Sequence, residues 1–542
     1  MYKGLKRLFA ATVMSTLLLS ACGGGAKQTT TAAGNAQQAA PAGSGAASTE
    51  AAKPGASTKD TLVVASVQDC QDLDPQGAAS QQTWRMKMQV YEPIVQMDGD
   101  NNLMPCLAES WEWEDDLTVV FHLRKGVKFH DGSELKASDV LFTYKRCKEM
   151  PTAQIATEML DIDKCEAVDD YTVRLKLISP WPQIVNYLAY ESAGICSEAS
   201  YKASGGDFAK APIGTGPYKV KEWIPGDRLE LVKFDDYWDE GKPYVPNLVI
   251  RAIGEESTRL VEVESGGVDI ACEISPSAID QVEANPDLQL VRSLSANIRF
   301  VGCNANSKAL QDVRVRQALR YAADWDAVAS ASFNGHATTA TGFFVNTVDG
   351  FAQDINLLEK YPYDVEKAKQ LLAEAGYPDG GLTLRLVTVA TYSPSVISAE
   401  ILQEYWKEIG VDLKIETGDN SAVQATITGE TDSWDLCIYG LTCSTGDADR
   451  GLRPFYSKSI SSTNVTRYNN PEIDKLLDEA ILEKDKAKQN ELYHKAQEIL
   501  ADDLPWFPIA VKEQVTACRK NVRGFKNGHF EAHLFKNVYF ED

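Results

Sequence analysis

The sequence has few basic side chains and few histidines for its size. It contains 54 Lys and Arg against 77 Asp and Glu, a formal net charge of −23 at pH 7, and only six histidines. Binding to nucleic acid or to anionic lipid depends on clustered Lys and Arg, so this balance argues against both. Phosphate-loop, nucleophilic-serine and His-Glu-x-x-His motifs are also missing from the chain. The sequence therefore predicts a protein that is not an enzyme and has no cofactor.

Eleven cysteines are present, but no Cys-x-x-Cys pair occurs, so their spacing forms no metal site. We expect those after position 22 to be small buried hydrophobic residues, and one or two disulfide bridges stay open. They are Cys70, Cys106, Cys147, Cys165, Cys196, Cys272, Cys303, Cys437, Cys443 and Cys518. His529 and His533 are four residues apart, but we interpret them as two surface histidines rather than as metal ligands.

Long hydrophobic runs are scarce as well. The apolar segment Leu8–Leu19 follows Lys3, Lys6 and Arg7 and is too short for a membrane span, which needs about 20 residues. No later run of that length exists. This layout predicts a secretory signal peptide over residues 1–21. The Leu-Ser-Ala-Cys ending looks like a bacterial lipobox, in which Cys22 receives a lipid and anchors the chain to a membrane.

Residues 22–59 are rich in Gly, Ala, Ser, Thr, Gln and Pro and contain no aromatic side chain. Such a segment cannot bury enough apolar surface to offset the entropy lost on ordering, so we predict a disordered, flexible linker. The rest of the chain is long enough for two or three domains with sizeable cores.

Strand-like and helix-like patterns alternate in this remainder, which indicates an α/β fold. Asp364 is positioned to cap one helix, and Asn470 to cap another that has Pro471 at its first position. The predicted strands cover residues 228–234, 383–388 and 411–415, and the predicted helices cover 365–375 and 399–409 and begin at 471.

Several short motifs follow one another along the mature chain. They are Leu107–Trp111, Phe121–Gly132, Ala137–Tyr144, Pro212–Tyr218, Asp236–Trp238, Ser265–Asp269, Asp312–Leu319, Tyr363–Leu372 and Arg467–Pro471. Together they resemble the large substrate-binding proteins of ATP-driven peptide importers, the family 5 extracellular solute-binding proteins, which include dipeptide- and oligopeptide-binding proteins.

The resemblance implies a periplasmic-binding-protein-like α/β fold, with two lobes joined by hinge strands and an extra subdomain. Ligand would be held between the lobes and buried when they close. Carried over to this chain, lobe I comprises 60–92, 213–296 and 515–542, its extra subdomain comprises 93–212, and lobe II comprises 297–514. The implied partners are the permease and ATPase subunits of an ABC importer.

Two positions depart from the dipeptide-binding branch, in which an Asp pairs with the ligand ammonium and an Arg with its carboxylate. By resemblance, Ser444 occupies the position of that Asp and Ala390 the position of that Arg, whereas Tyr392 matches. This suggests that a free dipeptide is not clamped in the same manner. Displaced anchors from nearby charges and an ordinary charged surface loop stay open as alternatives. The candidate anchors are Asp447, Asp449, Arg450 and Arg453.

Other candidate ligand contacts are polar or aromatic residues beside predicted strands, because such positions border clefts in α/β proteins. They are Gln68, Asp69, Cys70, Asn304, Trp434 and Tyr439.

The sequence thus predicts a monomeric, lipid-anchored protein on the extracytoplasmic face of the cell membrane, which delivers peptides or peptide-sized solutes to an importer. A non-peptide ligand (a nickel chelate, a sugar or an opine-like compound) and a purely sensory role are the alternatives. The source could be a Gram-positive surface or a periplasm.

Overall fold

The structure, a computed structural model, describes residues 58–77, 80–98, 102–208, 212–429, 433–443, 446–528 and 532–541. The predicted signal peptide, Cys22 and the linker as far as residue 57 lie outside these residues, and so do Ser444 and His529.

Strands run from one end of the described chain to the other. They are β1 (Thr61–Ser66), β2 (Val95–Met97), β3 (Leu103–Pro105), β4 (Ala108–Asp115), β5 (Thr118–Leu123), β6 (Glu166–Asp169), β7 (Thr172–Lys176), β8 (Tyr218–Ile224), β9 (Arg228–Lys233), β10 (Asn247–Ala252), β11 (Ile270–Ala271), β12 (Leu288–Cys303), β13 (Thr338–Thr339), β14 (Leu382–Val389), β15 (Val411–Gly418), β16 (Leu436–Thr442), β17 (Trp506–Arg519), β18 (Val522–Arg523) and β19 (Tyr539–Phe540).

Helices are interspersed with these strands. They are α1 (Gln81–Lys87), α2 (Ala137–Glu149), α3 (Ile184–Tyr187), α4 (Glu198–Ala203), α5 (Glu256–Ser265), α6 (Ile279–Glu283), α7 (Val313–Tyr321), α8 (Trp325–Ser332), α9 (Leu357–Lys360), α10 (Val365–Glu374), α11 (Ser393–Lys407), α12 (Asn420–Thr428), α13 (Ala448–Leu452), α14 (Pro471–Leu482) and α15 (Lys486–Asp503).

One mixed sheet of eleven strands organises the fold, in the order β15-β14-β16-β12-β17-β11-β1-β10-β9-β8, with β13 attached to β17. Parallel pairs occur at both ends, β14 with β15 and β16, and β1 with β10 and β11. The long antiparallel strands β12 and β17 connect the two ends, and their register shifts between Leu294 and Ile298. A register break lets a paired ribbon bend, so β12 and β17 form the hinge pair between the two lobes.

Buried apolar side chains gather into four clusters, which follow this arrangement. The first uses residues 296–511, around β14 and β16, and the second uses residues 94–195, around the antiparallel sheet β4-β5-β7-β6. The third and fourth share β1, which sends Leu62 and Val64 into one and Ala65 into the other. This division follows from the alternation of side chains along a strand.

Local capping signals explain the helix starts. The Asp364 side chain accepts a hydrogen bond from Lys367 N at 2.9 Å, and Asn470 accepts from Glu472 N at 3.0 Å, so both predicted caps are confirmed. The helix predicted from residue 399 instead begins at Ser393. Pro394 lies in its first turn, where the missing N–H of proline costs nothing, so the proline does not delay the start.

The ten described cysteines are all free thiols, nine of them buried and Cys165 half-buried. The prediction of small buried hydrophobic residues is thus confirmed for nine of them. The bridges that were left open do not form among these residues.

The segment Gly214–Gly216 packs directly against the chain after α1. Gly216 N donates to Val90 O at 2.9 Å, and Tyr218 N donates to Gln89 O at 3.0 Å. A Cβ on Gly214 would lie only 2.0 Å from Val90 O. Only glycine permits this approach of two backbones.

We therefore expect Gly214→Ala to lower the free energy of unfolding by about 1–3 kcal/mol, since an added methyl must displace a backbone carbonyl. Urea denaturation followed by circular dichroism measures this. Gly254→Ala is the matched control, because its Cβ would lie at an ordinary 3.7 Å from Val67 O. Equal effects of the two substitutions would contradict the close-packing explanation.

Candidate functional site

A cavity of about 390 Å³ lies beside the hinge strands. One wall comes from residues 273–277 and His533, and the other from residues 332–336 and 391–397, with residues 512–516 of β17 between them. The cavity is thus bounded by both lobes and by the strand that joins them. Its volume falls within the roughly 300–1,000 Å³ of small-molecule sites.

The carboxylates at this cavity are already occupied by protein groups. Glu273 Oε1 lies 2.6 Å from Arg85 Nη2. Burial by itself would raise the pKa of Glu273, but the Arg85 charge and hydrogen bond hold it below its ordinary value. Glu513 Oε2 lies 2.8 Å from Arg292 Nη2, and Glu256 accepts a hydrogen bond from Ser275 N. The acidic lining therefore helps to hold the fold together.

Two hinge-strand side chains, one of which lines the cavity, have polar atoms without partners among the described residues. Gln514 lines the cavity at 6% exposure, and its Oε1 accepts no hydrogen bond from any described residue. Asn297 Nδ2 donates to Thr442 Oγ1 at 2.8 Å, whereas Asn297 Oδ1 is buried and unpaired within the same set. An unmade buried hydrogen bond costs about 1–3 kcal/mol, so such atoms mark places where water or ligand binds.

Tyr392, a predicted contact, lines this cavity at the start of α11. Its ring carries the guanidinium of Arg299, whose Cζ lies 4.0 Å from the ring centroid. Arg299 is on β12, paired with Gly440 of β16, next to the half-buried Tyr439. Burial raises the pKa of Tyr439, and the charge of Arg299 opposes this shift. Tyr392, a predicted contact, thus lies against an arginine that sequence reasoning missed, and the charge of this arginine also acts on Tyr439.

A second polar group lies where α13 meets α3 and its flanking residues. Asp447 caps α13 by accepting from Arg450 N at 3.0 Å, and it also accepts from Asn186 Nδ2 at 3.4 Å. Asp449 Oδ2 lies 3.1 Å from Arg453 Nε. The Arg453 Nη1 is also 3.5 Å from Glu158 Oε1. These pairs connect residues 158–187 with residues 447–453 across the sequence.

Aromatic side chains surround this group. The Arg453 guanidinium lies 5.7 Å from the Trp181 ring and 5.9 Å from the Tyr187 ring. Burial, followed by the charge of Asp449, raises the pKa of Tyr187 well above its ordinary value, so the phenol keeps its proton. Trp181 Nε1, Tyr187 O–H and Tyr493 O–H find no acceptor in the part of the chain that the structure describes. The two carboxylates, Asp447 and Asp449, are themselves buried.

The candidates at the start of the chain lie elsewhere. Gln68 is exposed. Asp69 accepts from Gly226 N at 2.7 Å and from Trp223 Nε1 at 3.2 Å, which fastens the turn between β8 and β9. Cys70 is 3% exposed, and burial raises the pKa of its thiol to about 12. None of the three lines the cavity.

Asn304 and Trp434 are joined to each other, away from the cavity. Asn304 is fully buried, and its Nδ2 donates to Trp434 O at 2.9 Å. The Trp434 ring is itself buried at 1% exposure. A ligand role for these two residues stays a prediction, as it does for the other candidates of the sequence analysis.

The environment of His533 differs from the one that the sequence predicts. The sequence predicts a surface histidine at this position, but the side chain is 1% exposed, and its Nδ1 accepts a hydrogen bond from Gly528 N at 2.9 Å. Burial, with Arg85 nearby, lowers its pKa well below the ordinary value, so the ring is neutral. The sequence misled because the i, i+4 spacing was judged as if on a helix, whereas residues 532–536 have no helical structure. Within the described ranges, no cluster of three potential metal ligands occurs.

Two lobes joined by paired strands, with a polar cavity at the joint, define a binding protein of the periplasmic type. HbpA2 from Haemophilus parasuis has the same fold, with a TM-score of 0.79 and 29% identity over 89% of this chain and 100% of that one. The periplasmic binding protein DppA from Helicobacter pylori, solved in complex with the peptide STSA, has a TM-score of 0.75. It is 28% identical to this chain, over 89% of this chain and 98% of that one.

The model of "Bacterial extracellular solute-binding proteins, family 5 Middle" matches residues 102–463. The glutathione-binding protein GsiB of Salmonella paratyphi A is 31% identical over 493 residues, 89% of this chain and 95% of its own length. The chain therefore belongs to family 5 of the bacterial extracellular solute-binding proteins. The predicted family and fold class are confirmed. No helix among the described residues has the length and apolar character to cross a membrane.

The buried neutral His533 predicts a loss of stability in acid. Below pH 6.5 the unfolded chain binds a proton at this histidine that the folded chain does not, so the free energy of unfolding falls as pH falls. His533→Asn keeps an acceptor for Gly528 N and cannot titrate. We expect the stability advantage of the wild type over this variant to shrink below pH 6.5, by up to about 1.4 kcal/mol per pH unit. Urea denaturation of both proteins at pH 7.5 and 5 measures this, and a difference independent of pH would contradict it.

Proposed function

We propose that this protein is the substrate-binding component of an ABC importer and that it captures short peptides, glutathione among them, in the cleft between its lobes. The observation that carries the proposal is the cavity at the hinge, whose surroundings hold buried polar atoms without partners. Gln514 Oε1 and Asn297 Oδ1 are acceptors, and the guanidinium of Arg299 is a charged donor group. A peptide offers backbone N–H groups, carbonyls and charged ends in alternation, which matches such a mixed set.

The relatives support the same class of ligand. GsiB is named as a glutathione-binding protein, and DppA from Helicobacter pylori was solved with a bound peptide. The match to this chain extends over 95% of GsiB and 98% of DppA. In this proposal Tyr392 and Tyr439 flank the bound peptide, and Asp447 and Asp449 attract its positive end.

Closure of the lobes buries the ligand in this proposal. Lobe I comprises 60–92, 213–296 and 515–542, the extra subdomain 93–212, and lobe II 297–514. The contact of Asn186 with Asp447 and the pair of Glu158 with Arg453 cross from the extra subdomain to lobe II. His336 Nε2 of lobe II lies 3.1 Å from Asp280 Oδ1 of lobe I. Such polar contacts favour the closed state, and ligand adds its own preference for that state.

Membrane attachment completes the proposal. The chain is exported, lipidated at Cys22 and held as a monomer at the extracytoplasmic face, where the permease and ATPase subunits of the importer receive the closed form. It performs no catalysis. The flexible linker lets the folded part reach the permease while the lipid stays in the membrane.

Anchoring is tested by Cys22→Ala in the full chain, expressed in a bacterial host. We expect the variant to lose the acyl mass and to move from the detergent phase to the aqueous phase in Triton X-114 partitioning. Cys165→Ala, which removes a half-buried thiol, is the control and should stay in the detergent phase. A Cys22→Ala variant that stays in the detergent phase contradicts lipid anchoring at this residue.

Ligand class is tested by native mass spectrometry of the gently purified protein, followed by calorimetric titration with glutathione and with peptides of two to five residues. Peptide adducts and saturable binding are the expected result. Capture of one non-peptide solute, with no binding of peptides, would reject the peptide proposal and favour the non-peptide alternative.

A further inference from the structure

Arg299 is a cation without a counter-ion. Its side chain is half-buried on the hinge strand β12. The structure records no acidic partner and no hydrogen bond for its guanidinium among the described residues, only the contact with the Tyr392 ring. Nε is fully enclosed, whereas the terminal nitrogens remain accessible. The terminal nitrogens of the guanidinium can therefore donate hydrogen bonds to a group that enters from the solvent.

The surroundings hold this guanidinium in one orientation. Tyr392 supports one side at 4.0 Å. Gly440, paired with Arg299 in the sheet, contributes the space, since a Cβ there would lie 2.6 Å from Arg299 Cζ. A flat cation between an aromatic ring and a glycine loses little further freedom when it binds a ligand. The site is thus organised before ligand arrives.

Partial burial of an unpaired charge is unfavourable, and nearby carboxylates do not relieve it. Glu273 is paired with Arg85, and Glu513 with Arg292. Those acids satisfy other arginines, although the chain as a whole has a large excess of acidic residues. Arg299 is thus a half-buried cation that no carboxylate of the described residues neutralises, and it lies against Tyr392, a residue that lines the cavity.

We propose that Arg299 binds a carboxylate of the ligand, through the two-pronged hydrogen bonding that a guanidinium makes with a planar anion. This inference rests on the proposed function and names the chemistry that its site requires. The ligand is a short peptide whose free C-terminal carboxylate reaches Arg299 beside Tyr392. Arg299 is then a residue that determines specificity, because it favours free acids over blocked ones.

The test compares acid and amide forms of two peptides, trialanine with trialanine amide, and glutathione with its glycine amide. Affinities are measured by calorimetry for the wild type, Arg299→Gln, Arg299→Lys and Arg385→Gln. Arg385 is the control, because it lies on β14, two strands away from β12, and pairs with Glu416 on the exposed surface at 2.8 Å. Full-length protein is used throughout.

We expect the wild type to prefer the acid over the amide. Arg299→Gln should weaken binding of the acid by roughly 10- to 100-fold, as expected for a hydrogen bond to a charged group, and leave binding of the amide nearly unchanged. Arg299→Lys should weaken binding of the acid less than Arg299→Gln does, because lysine keeps the positive charge but lacks the paired donors of the planar guanidinium. Unchanged amide binding also shows that the variant is folded, and Arg385→Gln should behave as the wild type.

An equal loss for acid and amide, or no loss for either, overturns the role of Arg299 while leaving peptide binding by the wild type intact. Failure of the wild type to bind any of the four probes rejects the proposed function for short peptides, and the carboxylate inference with it. The two failures are therefore told apart by the wild-type titrations alone.

Discussion

The pairing of β12 with β17 is the constraint on which the rest of the structure depends. These two strands are the continuous hydrogen-bonded path between the two ends of the large sheet. Their register holds over Leu288–Leu294 and shifts between Leu294 and Ile298 and again between Arg299 and Phe300. The two halves of the ribbon belong to different hydrophobic clusters, and a register shift of this kind is a place where a paired ribbon can bend.

The same ribbon explains why polar side chains occur on the hinge strands. A strand that crosses from one hydrophobic cluster to another lies between the two clusters at its midpoint. Its side chains there face the space between the clusters, where polar residues are favoured. Asn297, Arg299 and Gln514 occupy that stretch, and each has an atom without a partner. Two buried or half-buried carboxylates elsewhere are paired with arginines, Glu273 with Arg85 and Asp449 with Arg453.

Sequence reasoning succeeded where the deciding interactions are local. The caps Asp364 and Asn470 were predicted because a capping side chain bonds a backbone N–H two or three residues along the chain. It failed where the partner is remote. The spacing of His529 and His533 suggested the surface of a helix, whereas His533 is buried against Gly528 and near Arg85. Arg299 gave no signal, because an arginine in a strand is ordinary until its neighbours are known.

What the sequence by itself determined is the class of protein. The short apolar start, the polar linker, the acidic balance and the ordered motifs indicated an exported α/β binding protein, and the family and the α/β fold are confirmed. Only the tertiary structure decided which side chains meet at the hinge. Arg299, Tyr392, Gly440 and Gln514 are far apart along the chain and are joined through strand pairing and packing. The physical reason is that burial and pairing of a polar group depend on every element packed against it. Composition is a property of the sequence itself, and a helix cap depends only on residues a few positions along the chain.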